Sequence, residues 1–526
     1  MNLNKKKKLL FSEPKDKAAN EASEQQTETE KKPLYHSLVR NVEEIRQVIG
    51  NSSDVTIRQF RLGRNRDRQV AVVFTDGLAD EALINEFIIS PLMDNDCILS
   101  SDENPIYQLQ QTFLNVGSVE KLSDFDSFFT SILSGDTVIL LDGENEGIVT
   151  DTKSWEGRDV SEPQTQTVIR GPHEGFTETL RVNTALIRRR IKDPNLWIEA
   201  KKIGTRTKTD VAIVYMKDLA DETVVQEVHS RLDNIQIDSI LESGYIEELI
   251  QDKTFTPFPT IFNSERPDTI ASGVLEGRVA IIVDGSPHVL LVPTLFVQFL
   301  QSPEDYYHRS DFGLIRLLRY ISMFISLLAP SLYIAITTFH QEMLQTTLLI
   351  SIAAQREGIP FPAFIEALIM EVTFEILREA GIRMPRAIGP AISIVGALVL
   401  GEAAVAASLV SPAMVIVVSI TAICGFIFPS FSIGIPFRIL RFGLMGLAAS
   451  FGLFGIIVGL IAIVLHLCSL RSFGVPYMSP IAPFNASDQK DAMFRFPLWS
   501  LNTRPASIAQ GDLIRNKTPK PKPPQQ

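Results

Sequence analysis

Four long runs beyond Arg309 are almost free of charge: Tyr320–Thr338, Ile388–Leu409, Pro412–Phe428 and Leu440–Leu467. They restrict the fold more than any other feature. A bilayer core roughly 30 Å thick needs about 20 apolar residues of helix, and backbone inside it must satisfy its own hydrogen bonds. The first, second and fourth runs meet that length, and the third sits at its short end. This part of the chain, 313–470, therefore reads as an α-helical transmembrane bundle of four crossings. A mean hydropathy of +0.12 in a chain with 21% charged residues fits two populations, one polar and one apolar.

Four crossings put both ends on one side. The segment 471–526, basic and Pro-rich, carries Arg495, Arg504, Arg515, Lys517, Lys520 and Lys522. By the positive-inside rule it is cytoplasmic, and Arg309, Arg316 and Arg319 put the start of the first span there too. Two pairs fit poorly, Arg383 with Arg386 and Arg438 with Arg441. Either they line a polar path or the chain crosses a different number of times. Between the first two runs, Met343–Ala354 is apolar but short, as in a re-entrant or interfacial helix. Phe364–Ala380 is amphipathic, and its face of Glu371, Glu375, Arg378 and Glu379 must meet water, headgroups or a neighbouring subunit.

The chain before the bundle is mixed α/β. Helical periodicity covers Leu38–Ile49, Asp80–Ile89 and Asp221–Leu232, and strand-like apolar runs cover Val70–Phe74, Val138–Leu141, Val211–Tyr215 and Val279–Val283. An internal repeat is visible. VAVVFTDGLADEALI (70–84) matches VAIVYMKDLADETVV (211–225), and SGDTVILLDG (134–143) matches EGRVAIIVDG (276–285), each pair about 141 residues apart. Asp142-Gly143 and Asp284-Gly285 read as turns. Two related α/β subdomains follow, 34–195 and 196–312. Residues 1–33 are polar and read as a disordered tail, whose short Leu9–Phe11 stretch is no signal-peptide core. The soluble part is expected in the cytoplasm, which agrees with three scattered cysteines, Cys97, Cys424 and Cys468.

A net charge of −11 carries no nucleic-acid signature. No P-loop, GxSxG, HExxH or Rossmann glycine pattern occurs, so neither a cofactor nor enzyme activity is expected. The informative residues are polar groups within apolar helices. Glu402 lies mid-span, where a bare carboxylate costs about 3 kcal/mol and so faces a bundle interior or water. It reads as part of an ion path or gate, or as a paired structural carboxylate. Gly452, Gly455 and Gly459 form a small-residue stripe in the last run, and Gly401 does similar work in the second. Such stripes let helices approach closely, within one chain or between copies.

Three stretches resemble the A subunits of bacterial spore germinant receptors, the GerA family: TPFPTIFNSERPDTIASGVLEGRVAIIVDGSPHVLLVPTLFVQFLQSPEDYYHR (256–309), RGPHEGFTETLRVNTALIRRRI (170–191), and REGIPFPAFIEALIMEVTFEILREAGIRMP (356–385) followed by GPAISIVGALVLGEAAVAA (389–407). The resemblance covers about 40–500. It implies a multi-pass protein of the spore inner membrane that works with a transporter-like B subunit and a lipoprotein C subunit. It further implies a homo-oligomer that senses nutrients and opens a path for monovalent cations. A paralogous group in the dipicolinate-release system shares the pattern, and a secondary transporter or a non-conducting scaffold are the alternatives. Matched positions give candidate pore or gating residues Arg356, Glu357, Glu371, Glu375 and Glu402. They also give candidate coupling residues Arg266, Pro267, Asp268, Glu276 and Asp284, where Pro267 stiffens a salt-linked connector between soluble domain and bundle.

Overall fold

The computed structural model describes residues 32–50, 52–62, 68–94, 104–114, 118–154, 162–308, 313–383 and 401–522. Two compact units divide the chain: the first runs to Gln47 and from Val55 to Ser154, and the second takes Val48–Asp54 and everything after Ser154. Nearly all of the expected polar tail, and most of the expected Ile388–Leu409 span, lie outside the described residues.

The first unit pairs β1 (Val55–Arg61), β2 (Gln69–Thr75), β3 (Val119–Leu122), β4 (Thr137–Leu141) and β5 (Gly147–Thr150) in the order β1-β2-β4-β5-β3, every pair antiparallel. Helix α1 (Leu38–Ile49) precedes them and α2 (Phe125–Ile132) lies between β3 and β4. The helix expected at Asp80–Ile89 starts at Glu81, with Asp80 Oδ1 accepting from the backbone of Ala82 and Leu83. It widens into a π-helix over Ile84–Ile89 and ends at Met93.

The second unit repeats the plan with α3 (Leu180–Arg190), β6 (Leu196–Ile203), β7 (Thr209–Met216), α4 (Glu222–Asp233), α5 (Ser243–Ile250), β8 (Phe262–Ser264), α6 (Pro267–Leu275), β9 (Val279–Val283) and β10 (Val289–Val292). Its order, β6-β7-β9-β10-β8, is that of the first sheet, again antiparallel throughout. Helix α3, which a boundary at 195 assigns to the first subdomain, packs in the core of the second through Leu186 and Ile187. Alternate strand residues face two cores. Ala280 and Ile282 meet α3 and α6, while Ile281 and Val283 meet α4 and α5. Cover on both faces explains why β9 reads VAIIV without a polar position.

The Asp-Gly pairs are turns, with Gly143 at φ +89° and Gly285 at φ +85°, a region that suits glycine. They also anchor helices. Asp142 Oδ1 accepts from Leu38 N at 3.0 Å and Asp284 Oδ1 from Leu180 N at 2.9 Å, which places a carboxylate at the start of α1 and of α3. A buried asparagine on each helix clasps the preceding strand of chain: Asn41 with Tyr35, and Asn183 with Thr177. The repeat thus extends to matching hydrogen bonds.

The bundle contains α7 (Gly313–Thr338), α8 (Thr346–Arg356), α9 (Ala363–Arg383), α10 (Pro412–Gly425) and α11 (Phe431–Ser469), with residues 401–406 also helical. The expected single span Leu440–Leu467 is corrected by Gly452, whose φ of 62° and ψ of −140° break α11. A Cβ on Gly455 would strike the Leu447 carbonyl, and one on Gly459 the Leu444 side chain. In a straight helix, positions eight apart lie about 12 Å apart. The segment is therefore a helical hairpin that turns at Gly452, beside Phe339 and His340 at the far end of α7. An unbroken apolar composition hides such a turn.

Gly452→Ala adds a methyl 2.7 Å from His340 and 3.0 Å from Phe339 in a conformation that L residues rarely adopt. It should destabilise the protein by about 1–3 kcal/mol. At Gly446, inside the helix, a Cβ meets nothing within 4 Å, so Gly446→Ala should keep stability or raise it by up to about 1 kcal/mol. Denaturation midpoints of the detergent-solubilised protein check both, and equal midpoints for the two variants would contradict the hairpin.

Candidate functional site

The end of α7 nearest the second α/β unit is held by buried charge. Arg316 and Arg319 lie three positions apart and so share a helix face. Asp305, on the short helix Glu304–Tyr307, has no exposure. It accepts from Arg316 Nε at 2.9 Å and takes both Nη atoms of Arg319 at 2.8 Å, the second contact a bidentate fork. Arg316 also donates to Asp491 Oδ1 at 2.9 Å, and Tyr306 donates to Asp491 Oδ2 at 2.9 Å. Burial, reinforced by Asp491, pushes the Tyr306 phenol well above its ordinary value. The sequence reading took the two arginines as orientation markers and missed Asp305 and Asp491.

Asp491 belongs to the segment after Arg471. That segment is packed against the second α/β unit: Tyr477 is fully buried, Phe296 N donates to Tyr477 O, and Arg504 Nε donates to Leu275 O. Both ends of the bundle are therefore fixed to the same domain. The apolar core is continuous as well, running from Ile270 and Val274 on α6 through Tyr320, Met323 and Leu327 on α7 to Phe437 and Leu444 on α11.

Among the candidate coupling residues, Arg266, Pro267 and Asp268 act together. Pro267 is the first residue of α6, where a fixed φ suits a helix start. The fully buried Arg266 donates to the carbonyls of Gln166 (3.1 Å) and Pro172 (2.9 Å) and to Asp268 Oδ2 (2.8 Å). The same Asp268 oxygen accepts from Tyr307, next but one to Asp305. Glu276 ends α6 between Arg278 and Arg515, each at 3.5 Å. Asp284 lies apart from this group and anchors α3.

Within the bundle, α9 carries a ladder of carboxylates. Glu366 accepts from Arg356 Nε at 3.3 Å and from Ser411 N, at the start of α10, at 3.0 Å. Glu371 pairs with Arg441, which also reaches Ser326 on α7. Glu375 accepts from Arg438 at 2.9 Å, with Arg378 at 3.9 Å. Glu366 and Glu371 are fully buried and Arg441 is 3% exposed. The charged face of this helix was expected to meet water, headgroups or another subunit. Glu371 and Glu375 meet arginines of their own chain instead, because Arg438 and Arg441 are one turn apart on α11, while Glu379 stays exposed beside Arg383 of its own helix. Glu366 was missed altogether.

Glu357 is exposed at the end of α8. Glu402 is exposed and has no charged partner among the described residues. Gly401 lies against Val415 of α10, and Gly452, Gly455 and Gly459 serve the α11 hairpin.

A duplicated α/β domain joined through a buried ion cluster to a bundle of apolar helices fits a protein with a helical membrane part. The model of the family described as Bacillus/Clostridium GerA spore germination protein matches residues 43–507, and the chain belongs to that family. It is similar to spore germination protein KA of Bacillus subtilis, with 51% identity over 93% of this chain and 90% of that one. It is also similar to spore germination protein GerLA of Bacillus cereus, with 41% identity over 91% and 97%. The crystal structure of the N-terminal domain of the A subunit of the Bacillus megaterium spore germinant receptor GerK3 is 39% identical, covering 51% of this chain and 99% of that one, with a TM-score of 0.41.

Breaking the central pair should be costly. Glu371→Leu or Arg441→Leu leaves one buried charge uncompensated, at about 3–5 kcal/mol. Replacing both by leucine should recover most of the loss. Denaturation midpoints of the two single variants and the double variant, read as a cycle, check this, and additive losses would show that the residues do not interact.

Proposed function

We propose that the chain is the A-type subunit of a nutrient germinant receptor in the spore inner membrane. As an oligomer with a transporter-like B subunit and a lipoprotein C subunit, it opens a path for monovalent cations when nutrient binds the B partner. Such a ligand acts only through its different affinities for the closed and open states.

Glu402 carries this reading. Glu366, Glu371 and Glu375 each have an arginine, while Glu402 is exposed beside exposed Ala403, Ala406 and Ala407. An unpaired carboxylate facing hydrocarbon costs about 3 kcal/mol. Water between copies of the bundle removes that cost, and the small residues let copies approach. In this reading the paired residues of α9 brace the bundle and Glu402 borders the ion path.

The topology that goes with it has six crossings. Helix α7 runs outward from the α/β unit. Helix α9 returns, since Glu366 meets Ser411 at the outer end and Arg378 lies 4.9 Å from the Phe426 ring at the inner one. With the span expected from the sequence at Ile388–Leu409 taken as the outward crossing, α10 returns, and the α11 hairpin supplies the last two crossings. Both termini are then cytoplasmic, and Arg383 falls on the inner side, where the positive-inside rule wants it.

Potassium flux from liposomes holding the protein, with and without the B and C partners and with candidate nutrients, tests the proposal. Nutrient-dependent flux that needs the partners and changes in rate or selectivity with Glu402→Gln is the expected result. With incorporation and assembly verified, absence of flux under every condition would make the protein a scaffold or signal relay.

A further inference from the structure

The charged side chains shared by α9 and α11 do not balance. Glu371 pairs with Arg441, and Glu375 with Arg438 at 2.9 Å. Arg378, one turn further along α9, has only a 3.9 Å approach to Glu375, whose charge Arg438 already takes up. The next acid on α9, Glu379, is exposed and pairs with Arg383 at 2.7 Å. Helix α10 carries no charged residue, and α11 carries no acidic one. Among the described residues the group is left with one positive charge in excess, and Arg378 makes no hydrogen bond. Nor is Arg378 sealed: its side chain is 12% exposed against 3% for Arg441. Nε of Arg438 and of Arg441 is fully buried, and no nitrogen of Arg378 is.

The surroundings of Arg378 are apolar and open. Its guanidinium lies 4.9 Å from the Phe426 ring and 5.9 Å from the Phe374 ring, and Phe426 is itself exposed. From Phe426 an exposed stripe of Ile423, Ile420 and Ile416 runs back along α10 at helical spacing. The neighbours fix the depth. Phe428 stacks on Phe437 at 5.5 Å, and Phe437 meets Phe258 of the second α/β unit at 6.1 Å. With that unit outside the bilayer, Arg378 stands at headgroup level and the isoleucine stripe at the level of the acyl chains. A guanidinium offers parallel N–H donors that match two phosphate oxygens, and basic sites between helices take anionic headgroups. A zwitterionic headgroup brings a cation of its own, whereas an anionic one supplies the missing charge. Glu375 does not oppose it, because Arg438 neutralises Glu375. We propose that Arg378 holds the phosphate of an anionic glycerophospholipid in the leaflet next to the α/β unit, with one acyl chain along Ile416, Ile420 and Ile423. The proposal requires that the bundle lies in a bilayer with the α/β unit outside it. It is independent of ion conduction and of the number of crossings.

Melting temperatures of the detergent-solubilised full chain test this, with phosphatidylglycerol, phosphatidylcholine and inorganic phosphate as probes and native mass spectrometry to count retained lipids. Phosphatidylglycerol should raise the midpoint saturably by about 2–4 °C, and the other two should leave it in place. Arg378→Gln should lose the shift. Arg378→Lys keeps the charge without the planar fork, and should fold normally and bind severalfold more weakly, so it carries the comparison if the glutamine variant does not fold. Arg383→Gln alters a side chain that is 78% exposed near the same end of α9 and should keep the full shift. An equal shift from inorganic phosphate would make this a site for a free anion. Equal shifts in the parent and both Arg378 variants would place the lipid elsewhere. No shift with any probe would leave Arg378 to an acid from a second copy of the chain. Each of these three results overturns the proposal.

Discussion

Asp305 is a fully buried carboxylate between two guanidinium groups, and the fusion of soluble domain to bundle depends on that arrangement. Alone, Arg316 and Arg319 would place two positive charges at the start of an apolar helix, within reach of each other. Asp305 and Asp491 together neutralise them, and the bidentate geometry with Arg319 fixes orientation as well as charge. Three segments meet there: the residues just before the bundle, its first helix, and, from about 175 residues further on, the segment after its last helix. Desolvating four charges is expensive, and the attraction offsets it only while every partner is present. The cluster therefore behaves as a single unit, intact or lost, and a displacement of the 304–307 helix is passed to α7 with little slack.

The bundle uses charge in a related way. Lipid supplies no hydrophobic drive for one apolar helix to choose another. The pairings Glu371–Arg441 and Glu375–Arg438 give α9 one register against α11, and Glu366 with Ser411 fixes it against α10. Not all of this charge is satisfied. Glu371 Oε1, Glu375 Oε1, Arg438 Nε and Arg441 Nε have no hydrogen-bond partner among the described residues. A ladder held by single contacts is easier to re-pair than one of saturated forks.

The α/β half was legible because its signals are local. Strand runs such as Val279–Val283 coincide with the observed strand, the repeat announces a duplicated topology, and Asp-Gly dictates a turn. What the turn also does, anchoring α1 and α3 from about 104 residues away, has no local signature. The same holds for the ion pairs. Arg438 and Arg441 looked misplaced only because their partners lie 63 and 70 residues earlier on another helix. Asp305 and Asp491 look like ordinary surface acids in a polar stretch. The hairpin at Gly452 was hidden for a different reason: a span and a turned pair of shorter spans have the same composition. Only the backbone freedom of one glycine among many separates them.

Asp268 connects these observations. One of its oxygens receives two donors, Arg266 from the start of α6 and Tyr307 from the helix that carries Asp305, and its other oxygen is left buried without a partner. Arg266 in turn holds the carbonyls of Gln166 and Pro172, in the segment that leads from the first repeat into the second. The path from that linker to α7 thus passes through one carboxylate group. The linker and the bundle are tied at this point by two hydrogen bonds that share a single carboxylate oxygen.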